Sequence, residues 1–270
     1  MAKYIVVPVD FSPICRVALQ QTQNIAQLTG AEIVVLHVNN AKQPKDQLEE
    51  KLNEWVEQSN LKAGVKVTKR IEEGRVVPTI LKVNNIYDPI LVVVGFKSKE
   101  KFLERMGSNT LALISKAKRS VITIMGEQHR DGCKTIVLPL DLTKETRQKV
   151  RHAVWVAKLF DAEIKIAVVH QEETKGDRKS LKFASYYTVE RIRKEGVACS
   201  VYHLEGQNVA QAVIDFAEKE NADLITIMTQ QENSIKDFFV GSVAEKVINS
   251  SKIPVLSITP KESTVTSWKS

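Results

Sequence analysis

The chain repeats itself, and that repeat limits its fold more than any other feature. Val6-Val7-Pro8-Val9-Asp10-Phe11-Ser12 returns as Val137-Leu138-Pro139-Leu140-Asp141-Leu142-Thr143, displaced by 131 residues. The stretch from Ala26 to Ile33 (AQLTGAEI) returns from Ala157 to Ile164 (AKLFDAEI) at the same displacement. Gly64-Val65 and Gly74 have counterparts in Gly196-Val197 and Gly206 at 132, and Gly107-Ser108 and Val121–Ile124 in Gly241-Ser242 and Val255–Ile258 at 134. So small a drift over such a distance means two copies of one domain with short loop insertions, not a solenoid. A length of 270 residues agrees with two domains. Each copy is long enough to bury roughly two-thirds of its unfolded surface without a metal or disulfide framework. Domain 1 is expected over 1–126 and domain 2 over 134–260. The polar segment 127–133, ending in Asp131-Gly132, reads as a linker, and the Ser/Thr-rich 261–270 as a frayed tail.

Within each copy, short β-branched runs alternate with helical patterns. Tyr4–Val9, Glu32–Val38, Val65–Ile71, Ile90–Val94 and Val121–Met125 read as strands, as do Thr135–Leu140, Glu163–Val169, Ala198–Leu204, Leu224–Met228 and Val255–Ile258. Runs such as Ile90-Leu-Val-Val-Val94 are apolar on both sides, as in parallel strands covered by helices on both faces. Helices are expected at Arg16–Leu28, Gln47–Ser59, Val76–Asn84, Thr110–Ala117, Lys179–Lys194, Val209–Glu220 and Val243–Asn249. The alternation predicts an α/β protein of two tandem, open, doubly wound Rossmann-like domains, each a five-stranded, mostly parallel sheet flanked by helices.

In such sheets ligands bind beyond the carboxyl ends of the strands, where the strand order reverses. In domain 1 that places Pro8-Val9-Asp10, Val38 and Gly95 together. Asp10 is suited to accept hydrogen bonds from a ribose or an exocyclic amine, or alternatively to cap the helix that follows, as is Ser12. Gly95 would let a ligand approach the backbone closely. Gly107-Ser108-Asn109-Thr110 would open the last helix with free N–H groups, hydroxyls and a positive dipole end, suited to a phosphate or to simple capping.

These segments in this order resemble the universal stress protein family in its tandem form, and the resemblance spans essentially the whole chain. Members that bind ATP carry Gly-x2-Gly-x9-Gly-Ser/Thr, in which the glycines let the loop close over the phosphates. The resemblance implies ATP with Mg, or a related adenine nucleotide, as ligand. Asp10 and Val38 would then frame ribose and adenine, and Gly95, Ser98, Gly107 and Ser108 would form the altered phosphate loop. Ser98 replaces the second glycine, and the loop is one residue shorter. Domain 2 keeps Asp141, Val169, Gly241 and Ser242 but has Met228 and Gln231 for the first two glycines, so it reads as degenerate, with both side chains entering the phosphate space. The family's pairing through last strands implies an intramolecular pseudo-dimer joined by Val121–Met125 and Val255–Ile258; a homodimer of the whole chain and protein partners of unknown identity stay open. Lys97, Lys99, Lys101 and Arg105 could neutralise phosphates or face solvent.

Charge and scattered reactive residues narrow the remaining choices. Residues 1–126 carry 18 Lys+Arg against 12 Asp+Glu and the remainder 21 against 20, so the basic excess lies in domain 1. With aromatics at 6% and no basic cluster interleaved with them, nucleic-acid binding is disfavoured. Three separated cysteines and no signal peptide or membrane-spanning run point to a cytoplasmic protein. Cys15 could be activated by a helix N-terminus or simply be packed; Trp55 and Trp155 read as core or interface. No nucleophile elbow, P-loop or His-ligand spacing is present, so neither a nucleotidyl transferase nor any other enzyme beyond slow ATP hydrolysis is indicated. A nucleotide-responsive stress regulator and a nucleotide-independent scaffold acting through protein contacts both remain.

Overall fold

A computed structural model describes residues 2–96, 108–126, 131–140, 146–170, 178–229 and 242–259. Domain 1 runs β1 (Tyr4–Val9), α1 (Pro13–Thr29), β2 (Glu32–Asn39), α2 (Lys45–Glu57), β3 (Val67–Glu73), α3 (Val76–Tyr87), β4 (Leu91–Gly95), α4 (Ser108–Lys116) and β5 (Val121–Ile124). Domain 2 repeats the order as β6 (Thr135–Leu140), α5 (Thr146–Phe160), β7 (Glu163–His170), α6 (Arg178–Lys194), β8 (Cys199–Glu205), α7 (Val209–Lys219), β9 (Leu224–Met228), α8 (Ser242–Ser250) and β10 (Val255–Ile258). Every expected strand and helix forms, with ends moved by a few residues. The sequence pattern had not marked α5.

Local chemistry accounts for α1. Pro13 opens it, with φ already set for a helix, and Gly30 ends it at φ 67, its N–H donating to the Ala26 carbonyl. Ile14, Cys15, Ala18, Leu19, Ile25 and Ala26 form its buried stripe. A fully buried residue such as Leu19 contributes about 2 kcal/mol through burial.

All strands join one ten-stranded sheet in the order β3-β2-β1-β4-β5-β10-β9-β6-β7-β8. Each half is parallel, and the halves meet antiparallel through β5 and β10, with Ile122 opposite Leu256. The pairing expected of the last strands is therefore made within one chain. Alternate residues of each strand supply two cores. One contains Ile14, Leu52, Ile136, Val150 and Leu181, under α1, α2, α5 and α6. The other contains Val38, Val77, Leu113, Val213 and Val247, under α3, α4, α7 and α8. The family of helices on each face satisfies the doubly wound expectation. Among the described residues, no helix is long and apolar enough to cross a membrane.

Candidate functional site

The switch point in domain 1 lies between β1 and β4, and there the sheet parts. β1 pairs with β2 along its whole length, but with β4 only at Ile5 and Val6. Pro8 falls beyond that short pairing, where its missing N–H costs no ladder bond to β4. The start of α1 enters the split. Cys15 Sγ lies 3.9 Å from the Pro8 carbonyl, 4.0 Å from the Gly95 carbonyl and 3.2 Å from Asp10 Oδ1.

This arrangement corrects the expected role of Gly95. A Cβ there would stand 2.6 Å from the Ile14 carbonyl oxygen and 3.0 Å from the Cys15 nitrogen. The close approach that the glycine permits is made by the α1 backbone, and it is side-chain-free because the helix occupies that space. Met228, at the matching strand end of domain 2, also departs from expectation. It is buried on the α5 side of the sheet among Leu140, Val154 and Leu256, so its side chain fills core rather than phosphate space.

Asp10 is solvent-facing at the mouth of the split. Its Oδ1 accepts the Ser12 N–H at 2.9 Å, an Asx turn that leads the chain into α1, while Ser12 itself makes no capping bond to the helix. Partial burial pushes the carboxyl pKa up, but the bonds from Ser12 and Cys15 outweigh it and hold the group below its ordinary 3.8. The residue is therefore an anion at neutral pH. The thiol moves the other way: burial, reinforced by the neighbouring carboxylate, pushes Cys15 up to about 12. Of the two expected roles the structure therefore supports packing. Cys15 should accordingly resist a thiol reagent such as DTNB at pH 8 in the native protein and react once the chain is unfolded. Rapid native labelling mapped to Cys15 would contradict this placement.

Phe11 follows Asp10 with φ 66, an unusual backbone for a bulky residue. That geometry lays its ring 4.4 Å from the His37 ring and 6.2 Å from Trp55, with Lys51 Nζ 4.5 Å above it. His37 in turn bonds the Val9 carbonyl through Nδ1 at 2.9 Å. His37 thus ties the end of β2 to the end of β1, and Phe11 seals the pair. Trp55 is core, as expected, whereas Trp155 is more than one-third exposed on α5. Neither Phe11's backbone nor its aromatic contacts left a sequence signal, because a positive φ at phenylalanine has no composition signature.

Val38 is the penultimate residue of β2, with its side chain in the α3 core, and its carbonyl accepts the Asn40 N–H at 3.0 Å. Asn39 closes the following loop, donating to the Gln43 carbonyl at 2.8 Å and accepting the Gln43 N–H at 3.0 Å. Ser108 and Asn109 open α4 as its first two residues. The structure thus gathers Pro8, Val9, Asp10 and Gly95 around Cys15, while Val38 and α4 lie toward the opposite face. Ser98, Gly107, the basic residues 97, 99, 101 and 105, and Asp141, Gln231 and Gly241 of domain 2 lie outside the described residues. In domain 2, His170 and His203 meet at the strand ends, Nε2 to Nδ1 at 2.8 Å, a pair the sequence reading missed. Its signal was only the register that sets β7 beside β8.

The Universal stress protein family profile matches residues 1–124 and again 132–258. The chain belongs to that family. A universal stress protein of Methanocaldococcus jannaschii is 33% identical over 137 residues, which is 46% of this chain and 80% of the relative. The crystal structure of a universal stress protein from Archaeoglobus fulgidus superposes with a TM-score of 0.74 at 22% identity, covering 95% of this chain and 98% of that one. A functionally unknown protein of Pseudomonas aeruginosa matches with a TM-score of 0.72 at 16% identity, over 96% and 93% of the two chains. At these identities the two structures speak for the shared tandem fold.

Proposed function

We propose that this universal stress protein is a regulator that binds an adenine nucleotide, ATP with Mg in the first instance, at the carboxyl edge of domain 1, with domain 2 degenerate. One observation carries the reading. An ionised, solvent-facing carboxylate stands at the switch point, and the bonds from the Ser12 amide and the Cys15 thiol both fall on Oδ1. A carboxylate has about four acceptor positions, so Asp10 retains capacity for a ribose hydroxyl. The backbone of Val38 would border the base, and the amino end of α4 at Ser108 and Asn109 would face the phosphates, with Ser98 and Gly107 completing the loop. Bound there, the nucleotide would supply a ligand whose presence biases a folded or partner-binding state. No residue here is assigned a chemical step on it, and any hydrolysis would be slow. The protein would work in the cytoplasm.

A second reading has its own support. The space beside Gly95 is filled by α1, and the Val38 carbonyl is already bonded to Asn40. Both features fit a scaffold that acts through protein contacts with no nucleotide.

A ligand that binds only the folded state raises stability by RT ln(1 + [L]/Kd). Millimolar Mg-ATP is therefore expected to raise the melting temperature of the wild type. Asp10→Asn, which keeps the oxygen that accepts from Ser12 but loses the charge, should melt near the wild type without nucleotide and lose most of the increase with it. No shift in the wild type, together with no adenine nucleotide released from freshly purified protein on acid quenching, would leave the scaffold reading standing.

A further inference from the structure

The nearly neutral balance of domain 2 conceals a separation of charge. Helices α5 and α6, which share one face of the sheet, hold ten Lys and Arg residues against the single acidic Glu190. The rest of residues 127–270 is correspondingly acidic. Out of this basic face stand Phe183, Tyr186 and Tyr187 of α6, 66%, 62% and 68% exposed. Their spacing of three and four residues sets them on one ridge of the helix. The opposite ridge, Leu181, Ser185, Thr188 and Ile192, is buried against the sheet. Lys179 and Lys182 flank the aromatic ridge at its amino end, and Arg193 and Lys194 at its carboxyl end, all exposed. On α5, Arg151 and Trp155 are exposed in the same helix layer. Glu195, which directly follows α6, is paired with Lys158 at 2.5 Å.

Aromatic side chains left this exposed in a basic field need a partner that is anionic and also accepts apolar rings. A second copy meeting through the same face would set lysine against lysine. The matching helix of the other half, α2, is acidic but exposes no large apolar side chain among the described residues. A single-stranded nucleic acid is held in a groove that tracks its backbone, whereas these rings crown a convex helix. The cavity described in this half opens at the amino ends of the strands, between Lys134, Lys158, Asp161 and Glu163, and none of the three rings lines it.

We propose that the α5–α6 face docks peripherally on an anionic lipid bilayer. Tyr186 and Tyr187 would sit in the headgroup region, where amphipathic rings are favoured, Phe183 would bury its apolar ring at the acyl boundary, and Lys179, Lys182, Arg193 and Lys194 would meet the negative surface. The sheet and the buried ridge of α6 keep the helix on the protein, so docking requires no unfolding. It uses a face distinct from the strand-end site of domain 1 and is independent of nucleotide.

The test is co-sedimentation of the full chain with phosphatidylcholine vesicles, with and without phosphatidylserine, at low and high NaCl. Binding is expected only with phosphatidylserine and should weaken as salt screens the surface charge. The double variant Lys179→Glu/Lys182→Glu should weaken binding about tenfold or more. The triple variant Phe183→Ser/Tyr186→Ser/Tyr187→Ser should lose it while melting like the wild type, because the rings are exposed. Absence of binding, equal binding to both vesicles, or an unaffected triple variant would each overturn the proposal. It would also fall if the wild type ignored vesicles but bound poly(U) RNA, or self-associated, through the same three rings.

Discussion

Gly95→Ala should lower stability by about 3 kcal/mol and the melting temperature by roughly 6–12 °C. The new methyl group would meet the Ile14 carbonyl oxygen at 2.6 Å and its carbon at 2.8 Å. Both are main-chain atoms in the first turn of α1, so no side-chain rotation relieves the contact. The helix must lift from β4, and in doing so it must give up the packing of Ile14, Cys15 and Ala18. Gly30→Ala is the fitting comparison. Its Cβ would meet nothing within 4 Å, and only the left-handed backbone at φ 67 resists the side chain, at a cost of about 1 kcal/mol. Calorimetry on the two variants separates crowding from backbone strain. Equal, small losses in both would mean that α1 does not enter the β1–β4 split as described.

A larger effect is expected at the seam between the domains. Leu256 is 1% exposed in β10, opposite Ile122 of β5 and beside Thr226 of β9. Leu256→Asp removes an apolar side chain from the middle of the sheet and puts a carboxylate where the aligned neighbours are Ile122 and Thr226. The lost packing alone costs about 3 kcal/mol, and the buried charge raises the total to about 5 kcal/mol or more. That is comparable with the whole stability of an ordinary domain, about 5–15 kcal/mol. The variant should therefore fail to give the wild-type unfolding transition, either because it does not fold or because the halves melt separately. Leu256→Ala creates only the cavity and should keep one transition at a lower temperature. If the aspartate variant melted as the wild type does, the β5–β10 pairing would have to be abandoned.

Much of this architecture could be read before any coordinates. The duplication and the strands followed from patterns that repeat locally, such as Val6–Ser12 against Val137–Thr143, whereas the joining of the last strands followed only from the family resemblance. What escaped was set by contacts between distant segments. Gly95 looked like a glycine for a ligand, because sequence cannot show that Ile14, 81 residues earlier, returns to occupy the same space. For Cys15 the sequence offered activation or simple packing, and its burial beside Pro8 and Gly95 decides for packing. Met228 was placed in the wrong direction because the face of a strand that a residue takes depends on register, and β9 turns that side chain toward α5. Charge was misread for a different reason. Counting by halves averaged α5 and α6 with acidic segments elsewhere, and the absence of an aromatic-basic cluster was wrong for α6, where Lys179, Lys182, Phe183, Tyr186 and Tyr187 interleave at helical spacing.

The seam also fixes the composition of the paired unit. Two separate domains joined through short edge strands would come apart on dilution, since their pairing would depend on concentration. Here β5 and β10 belong to one chain, and each finds the other at the high effective concentration set by the covalent connection. The pair always contains one copy of each half, with no competing pairs of like halves. Each half is thereby released from having to match itself, and the two can carry different surfaces: α6 of the second presents basic residues and exposed aromatic rings where α2 of the first is acidic.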